Sequence, residues 1–189
     1  MTRFTRRMLP VLATVVSVVG VTAAPALAAK QTKHKVTGVS SVLTPSAAGL
    51  KFLTDHHITV SALGAASLSN GSLTLPISGG VVKTPSLDGT LVQKGGVKFT
   101  LGKRSVSLRG IVAHRIGKVA FVTAFANGRE LIVARVAKAT VSITGKSAVA
   151  TGELKLSAEA ARLLNRAFGK HVAGAGVDIG SFKSTVTVA

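Results

Sequence analysis

Histidines are the residues of this chain with the clearest chemical use, and two of them are adjacent in the segment LTDHHITV. His56 and His57 lie in that segment, and His114 and His171 stand alone further along the chain. Neutral imidazole is the commonest metal ligand in proteins and also holds haem iron. These four histidines are therefore the candidate haem or metal ligands.

A helix end is the alternative explanation for the adjacent histidines. Neighbouring side chains point about 100° apart on a helix and to opposite faces of a strand, so regular structure does not aim both at one ion. A histidine near a helix C-terminus is also favoured by the helix dipole. The sequence therefore favours a capping role for His56 and His57, and His171 follows the second predicted helix in the equivalent position.

The acidic residues and the short motifs predict that the chain is not an enzyme. There is no cysteine, which excludes thiolate metal sites and cysteine nucleophiles. No Gly-x-Ser-x-Gly nucleophile elbow and no phosphate-binding loop occurs. An envelope hydrolase with spatially paired carboxylates is a lesser alternative, and its candidates are scattered along the chain as Asp55, Asp88, Glu130, Glu153, Glu159 and Asp178.

Charge is the strongest feature of the composition. The chain has 24 Lys and Arg residues against 6 Asp and Glu residues, a formal net charge of +18. Such a field attracts polyanions, and the predicted partner is an anionic cell-envelope polymer or lipid surface. Nucleic acid is not expected as a physiological target, since export and the scarcity of stacking aromatics argue against it. The candidate basic residues are Lys94, Lys98, Lys103, Arg104, Arg109, Arg115 and Lys118; the alternative is that they only solvate a sheet face.

The N-terminus predicts export. Residues 1–28 combine a basic start, an apolar run and the small-x-small pattern Ala26-Leu27-Ala28, which together define a secretory signal peptide. A retained membrane anchor is the rival interpretation, and it is disfavoured because the apolar run is shorter than the roughly 20 residues of a spanning helix. Residues 29–35 form a predicted basic, flexible lead-in, and residues 36–189 a single domain that is secreted or attached to the cell envelope. The sequence leaves the export route open.

Short β-rich runs alternate with glycine from Val36 onward, which predicts an all-β, β-sandwich-like fold. Two short helices interrupt the strands. Thr44 is the predicted N-cap of the first helix, with Pro45 as its first residue. Ser157 caps the second helix and Gly169 ends it. Both helices belong to an internal repeat, and we expect its two copies at opposite ends of the sandwich.

One hairpin has a specific predicted register. Asn127-Gly128 suits a two-residue type I′ turn, in which both central residues have positive φ. That turn pairs Phe125 with Glu130, Thr123 with Ile132, and Phe121 with Ala134. The face expected in the core carries Phe121, Phe125 and Ile132, and the face expected outside carries Val122, Leu131 and Val133.

The order of motifs resembles a known family. The stretch LPISGGVVKTPSLDGTLVQKGGVKFTLGKRSVSLRGIVA and the terminal ELKLSAEAARLLNRAFGKHVAGAGVDIGSFKSTV together resemble the HtaA-domain family. The resemblance covers most of residues 36–189. It implies a β-rich, exported or envelope-attached domain of a kind that in several members binds haem.

The chain departs from that family at the haem ligands. The resemblance implies a tyrosine ligand supported by histidine, and this chain has no tyrosine. Where relatives often carry a histidine before a Gly-Gly pair, Gln93-Lys94 precedes Gly95-Gly96. The resemblance therefore implies the fold and export, and it does not carry over the haem site.

Taken together, the residues predict a non-catalytic, exported, HtaA-like binding module without a cofactor. Haem or iron capture through histidines is the alternative, because imidazole can replace phenolate as an iron ligand. The sequence leaves the oligomeric state open.

Overall fold

The computed structural model of the chain describes residues 31–169 and 171–189. The predicted signal peptide, residues 1–28, lies outside the described residues. These contain, in chain order, β1 (Thr32–Pro45), α1 (Ala47–Asp55), β2 (Thr59–Leu63), β3 (Ser67–Ser69), β4 (Ser72–Thr84), β5 (Gly89–Gln93), β6 (Gly96–Leu101), β7 (Arg104–Ile116), β8 (Val119–Ala126), β9 (Arg129–Thr144), β10 (Ser147–Leu156), α2 (Ala158–Phe168) and β11 (Asp178–Val188). β1 thus begins inside the segment that the sequence assigns to a lead-in.

Eight antiparallel strands form a sheet that closes on itself. Their order is β7-β5-β4-β1-β11-β10-β9-β8, and β8 pairs back onto β7. Both β6 and β5 pair along one edge of β7, β6 with its first half and β5 with its second half. β2 extends the sheet beyond β6, and β3 pairs with the start of β4. The sheet is therefore split at one end, between β2 and β3.

The connections between strands collect at two ends of this sheet. We call the end that carries α1, α2 and the β6–β7 turn the helix end. The opposite end, the hairpin end, carries the β4–β5, β7–β8 and β9–β10 connections, the start of β1 and the end of β11. The all-β class with two helices is confirmed. The helices of the repeat, however, both lie at the helix end, so the expectation that they occupy opposite ends is wrong.

Two hydrophobic clusters fill the inside. The larger lies at the helix end, where Leu75, Leu108, Leu164 and Phe168 are buried among its members. The smaller lies at the hairpin end and contains Val36, Ile77, Val82, Ala148 and Val186. No helix in the described part of the chain has both the length and the apolarity needed to cross a membrane.

A polar layer separates the two clusters. Along β1, Ser41 lies between Val36 and the helix end, and its Oγ is 2.7 Å from the Oγ of Ser184 on β11. The Nε2 of Gln93 donates to the Ser41 Oγ at 3.0 Å. The Gln93 Oε1 is buried and has no partner among the described residues. The inside of the sheet is therefore apolar, polar and apolar again from one end to the other.

The helix caps follow local chemistry. Ser157 accepts from the Ala160 N–H at 3.0 Å, and Gly169 ends α2 with a left-handed φ of 70°, both as predicted. The cap of α1 is Ser46, which accepts from the Gly49 N–H at 3.0 Å. The prediction of Thr44 is wrong because Thr44 and Pro45 still pair with β11.

The Asn127-Gly128 turn has the predicted geometry, with φ of 51° and 76°. Phe125 pairs with Glu130 and Thr123 with Ile132, as predicted. The assignment of faces is wrong: Phe125 is 48% exposed, whereas Ala124 is fully buried. Val133 is an extra residue in β9, so Phe121 pairs with Arg135. Alanine faces inward because the inside of a closed sheet has little room and helix-end residues from other elements already occupy it.

Candidate ligand-binding cavity

An open cavity of about 390 Å³ lies at the helix end. Small-molecule sites in proteins span about 300–1,000 Å³, so this volume is in their range. α1 and α2 form two of the walls, and the strands at the split end form the rest. The cavity is lined by Leu50, Phe52 and Leu53 of α1, by Ala160, Leu163 and Leu164 of α2, and by sheet residues that include Leu43, Leu73, Val97, Phe99, Leu108 and Leu156.

Small residues hold α1 against the sheet. A Cβ on Gly49 would lie 2.7 Å from the carbonyl oxygen of Ile179 in β11, so only glycine permits this approach. The Ser46 Oγ donates to the Asp178 carbonyl oxygen at 3.0 Å, which fastens the start of α1 to the start of β11. The apolar face of α1 is thereby aimed at the cavity.

The segment after α2 forms another wall, and Asn165 holds it in position. The Asn165 Nδ2 donates to the Ala173 carbonyl oxygen at 2.9 Å, and its Oδ1 accepts from the Ala173 N–H at 2.8 Å. This two-bonded contact ties the segment to α2. Ala173, Gly174 and Val177 then line the cavity.

The mouth of the cavity is also apolar. Leu50, Leu68 and Val177 line the cavity and remain 48%, 40% and 38% exposed. They come from α1, β3 and the segment before β11, so three separate elements present apolar side chains to solvent around one opening. A cluster of this kind marks an interaction site more often than single exposed residues do.

The lining restricts the chemistry of a ligand. Among the described residues that line the cavity, Thr44 and Ser181 are the only ones with a polar side chain, and none carries a charge or an imidazole. Such a cavity binds by burying apolar surface. The Thr44 Oγ1 already lies 3.3 Å from the Ser72 Oγ, and no described residue of the lining supplies a nitrogen, phenolate or thiolate ligand for iron.

His56 and His57 lie at the end of α1, outside the cavity lining. His56 is the C-cap residue of that helix, and His57 follows it with a left-handed φ of 53°, so their predicted position at a helix end is confirmed. The His56 ring meets Phe52 edge-on, with ring centroids 5.3 Å apart. Because Phe52 lines the cavity, His56 is one aromatic contact away from it.

His114 and His171 lie elsewhere. The His114 Nε2 is 3.0 Å from the Thr123 Oγ1, and its ring stacks on Phe121 with centroids 4.8 Å apart. Burial lowers the pKa of His114, and the Glu130 carboxylate opposes that shift. His171 is exposed between α2 and β11. Across residues 31–169 and 171–189, no group of three His, Cys, Asp or Glu side chains is arranged to hold a metal.

The seven candidate basic residues are distributed along the full length of β7 and its neighbours. Lys98 and Arg109 share the outer face of β6 and β7, and Lys94 lies in the β5–β6 connection. Lys103 and Arg104 belong to the helix end, where the Arg104 guanidinium lies against Gly169, a favourable position near the C-terminus of α2.

Arg115 and Lys118 belong to the hairpin end. Arg115 donates from Nη1 to the Ala139 carbonyl oxygen at 3.5 Å, and its buried Nε has no partner among the described residues. Lys118 is exposed in the β7–β8 turn. The structure therefore divides the candidate basic residues between two ends and one outer face.

The fold and the cavity define the chain as an all-β domain with a helix-walled apolar site, and solved structures share this fold. The C-terminal domain of HtaA from Corynebacterium glutamicum superposes with a TM-score of 0.66 at 15% identity, over 82% of this chain and 99% of that domain. Heme binding protein HtaB from the same organism gives 0.57 at 11% identity, over 85% and 98%. The N-terminal domain of HtaA gives 0.53 at 16% identity, over 81% and 99%.

These similarities confirm the predicted HtaA-like fold. No family model matches the chain, and no curated protein matches it significantly in sequence. At 11–16% identity the property that the chain shares with these structures is the fold.

The patterns of ligating and charged side chains do not indicate the cavity residues, which are apolar. The available signal was the internal repeat. Each copy has a serine-capped helix with an apolar face, α1 after Ser46 and α2 after Ser157. Two such helices that do not cover the same strands leave space between them, and that space is the cavity.

Proposed function

We propose that this chain is an exported, non-catalytic binding module that holds an apolar organic ligand in the cavity between α1 and α2. The observation that carries the proposal is an open cavity of about 390 Å³ whose lining includes no charged side chain. Burial of apolar surface supplies the affinity. The ligand class is therefore a flat ring system or a hydrocarbon chain with few polar groups.

The roles of the carboxylates support a non-catalytic function. Asp55 pairs with Lys51 at 2.8 Å and Glu153 with Lys138 at 2.6 Å. Asp178 accepts from Lys155 at 3.0 Å, and this hydrogen bond lowers the pKa of Asp178. Glu159 and Asp88 accept from the backbone N–H groups of Ile132 and Gly117. Carboxylates engaged in this way stabilise turns and strands, which is a structural role.

Haem is the second candidate, and the fold shared with Heme binding protein HtaB favours it. The apolar walls suit the face of a porphyrin. The lining does not suit the iron, because it offers no axial ligand of the kinds that proteins use for haem. A porphyrin in this cavity would therefore be held by its ring.

Iron dependence separates the two candidates. We expect iron-free protoporphyrin IX and haemin to bind with similar affinity in a fluorescence-quenching and absorbance titration, and a long-chain fatty acid to displace both. Leu50→Lys should weaken binding about tenfold or more, because it puts a charge at the apolar mouth. Val39→Lys is the matched control, since Val39 is 60% exposed on β1 and does not line the cavity.

Two results would contradict the proposal. The first is that none of the three probes binds. The second is a sharp Soret band with haemin that the His56→Ala/His57→Ala variant abolishes, together with no binding of the iron-free porphyrin. That second pattern would identify an iron-ligating haem site instead.

A further inference from the structure

The hairpin end collects unpaired positive charge. Its connections and strand ends carry five lysines: Lys33, Lys35, Lys83, Lys118 and Lys146. The ion pairs found within the described residues involve none of them. Asp88 is the one acidic side chain at this end of the described structure, and its Oδ1 already accepts from the Gly117 N–H at 2.6 Å. The hairpin end therefore carries an excess of positive charge, with five lysines against one carboxylate side chain among the described residues.

Apolar side chains project from the same end. Ile116 and Val119 flank the Gly117-Lys118 turn and are 65% and 53% exposed. Ile143, close to the Gly145-Lys146 turn, is 39% exposed. At both turns an aliphatic side chain thus stands within three residues of a lysine in solvent.

We propose that the hairpin end docks onto an anionic lipid surface. Lysines near a membrane are attracted by anionic headgroups, and adjacent aliphatic side chains gain free energy by entering the boundary between headgroups and acyl chains. A soluble anionic polymer would bind the lysines, but it offers no apolar environment for Ile116 and Val119. The exposed aliphatic tips therefore favour a lipid surface over a polymer.

The helix end contains a natural control for this surface. The β6–β7 turn, Gly102-Lys103, has the same Gly-Lys sequence as the turns at Gly117-Lys118 and Gly145-Lys146, and all three glycines have a φ of 57°. There, however, the preceding Leu101 packs against the core. Lys103 therefore matches Lys118 in residue type and turn geometry, and it differs in lacking an exposed aliphatic neighbour before the turn.

Docking through the hairpin end is independent of the proposed ligand. The cavity and its mouth lie at the opposite end of the closed sheet, so a docked molecule keeps the mouth directed away from the lipid. The two proposals can therefore fail separately: variants at the hairpin end test docking, and variants at Leu50 test the cavity.

The experiment is cosedimentation of the chain lacking residues 1–28, which retains every helix and strand described, with lipid vesicles. We expect binding to phosphatidylcholine vesicles that contain phosphatidylglycerol and none to phosphatidylcholine alone. Lys118→Gln and Lys146→Gln should each weaken binding about fivefold, the value of about one lysine near an anionic surface. Ile116→Ser/Val119→Ser should weaken it about tenfold.

Controls and a soluble competitor decide the outcome. Lys103→Gln and Val39→Ser should bind like the unmodified chain. If Lys103→Gln weakens binding as much as Lys118→Gln, the attraction is general charge and the proposal is wrong. If Ile116→Ser/Val119→Ser binds normally and polyphosphate competes fully, the surface recognises a polymer, which also overturns the proposal.

Discussion

The helix end and the hairpin end of the closed sheet are formed by the same strands and differ in their contents. At the helix end, two helices enter the split sheet, extend the core and leave a cavity of about 390 Å³ with an apolar mouth. At the hairpin end, five buried residues fill the space and lysines surround it. The helix end thus has a deep apolar cavity, and the hairpin end has a smaller core ringed by lysines.

This difference shows how one sheet can present two kinds of surface. A helix end requires amphipathic helices with a wide apolar face, and α2 supplies one through Ala160, Leu164 and Phe168. A hairpin end requires only turn residues, which tolerate any polar or charged side chain in solvent. The Ser41–Ser184–Gln93 layer lies between the two ends, so changes at one need not disturb the packing of the other.

The largest expected effect compares the two cores on a single strand. Leu75 and Ile77 both point inward from β4, Leu75 into the helix-end core and Ile77 into the hairpin-end core. Leu75→Ala should lower the free energy of unfolding by about 4–5 kcal/mol. Ile77→Ala should lower it by about 2–3 kcal/mol, because a truncated side chain costs less where the surrounding residues can collapse into the cavity that it leaves. Urea unfolding followed by circular dichroism measures both.

Phe125→Ala is the control for this comparison. Phe125 is 48% exposed, so its removal should cost about 1 kcal/mol or less. If Phe125→Ala costs as much as Leu75→Ala, the faces of the β8–β9 hairpin are reversed. If Ile77→Ala costs more than Leu75→Ala, the hairpin-end core is the tighter of the two.

An intermediate effect belongs to the polar layer between the ends. Ser41→Ala removes the group that contacts both the Ser184 Oγ and the Gln93 Nε2. It should cost about 1–3 kcal/mol, because buried donors lose their partner. Gln93→Leu should be nearly neutral in unfolding experiments, because the Gln93 Oε1 is already buried without a partner among the described residues. A large loss in Gln93→Leu would mean that the amide, rather than the two serines, stabilises the layer.

The helices and strands could be predicted because the sequence patterns that indicate them are local. Glycine turns and alternating residues define most strands of the sheet, and the serine cap and terminal glycine define α2. The short β3, Ser67–Ser69, was missed because three residues carry too little pattern. β9 is one continuous strand although Lys138 has a left-handed φ of 51° in its middle, an irregularity that the residue types around it do not indicate.

The site could not be predicted because it depends on closure. The alternation of residue types along a strand shows that the two faces of the strand differ. It does not show which of these faces lies inside the closed sheet. In β8, size decided the outcome: Ala120, Ala124 and Ala126 fit the inside, and Phe121 and Phe125 remain on the outer face. In the same way, only the closure of the sheet brings α1 and α2 to one end, although they are separated by about a hundred residues of chain.

The smallest expected effect belongs to the outer wall of the sheet and is a pH dependence. Burial of His114 lowers its pKa in the folded chain, whereas unfolded histidine titrates near its ordinary value of about 6.5. Below that value the unfolded chain binds more protons than the folded chain. Stability from this group is therefore complete above about pH 6.5 and is lost as pH falls through the lowered pKa.

A comparison of two variants isolates that contribution. His114→Gln can keep a hydrogen bond to Thr123 but has no proton to gain, so its free energy of unfolding should fall less than that of the unmodified chain between about pH 8 and pH 5. His171→Gln, at an exposed histidine, should follow the unmodified chain. If the free energy of unfolding changes with pH equally in all three proteins, His114 has the same pKa in the folded and the unfolded chain. Its stacking on Phe121 would then not exclude water. A shallower pH dependence in His114→Gln alone would mean that burial of the imidazole beside Phe121 and Thr123 disfavours its charged form, as the lowered pKa of His114 implies.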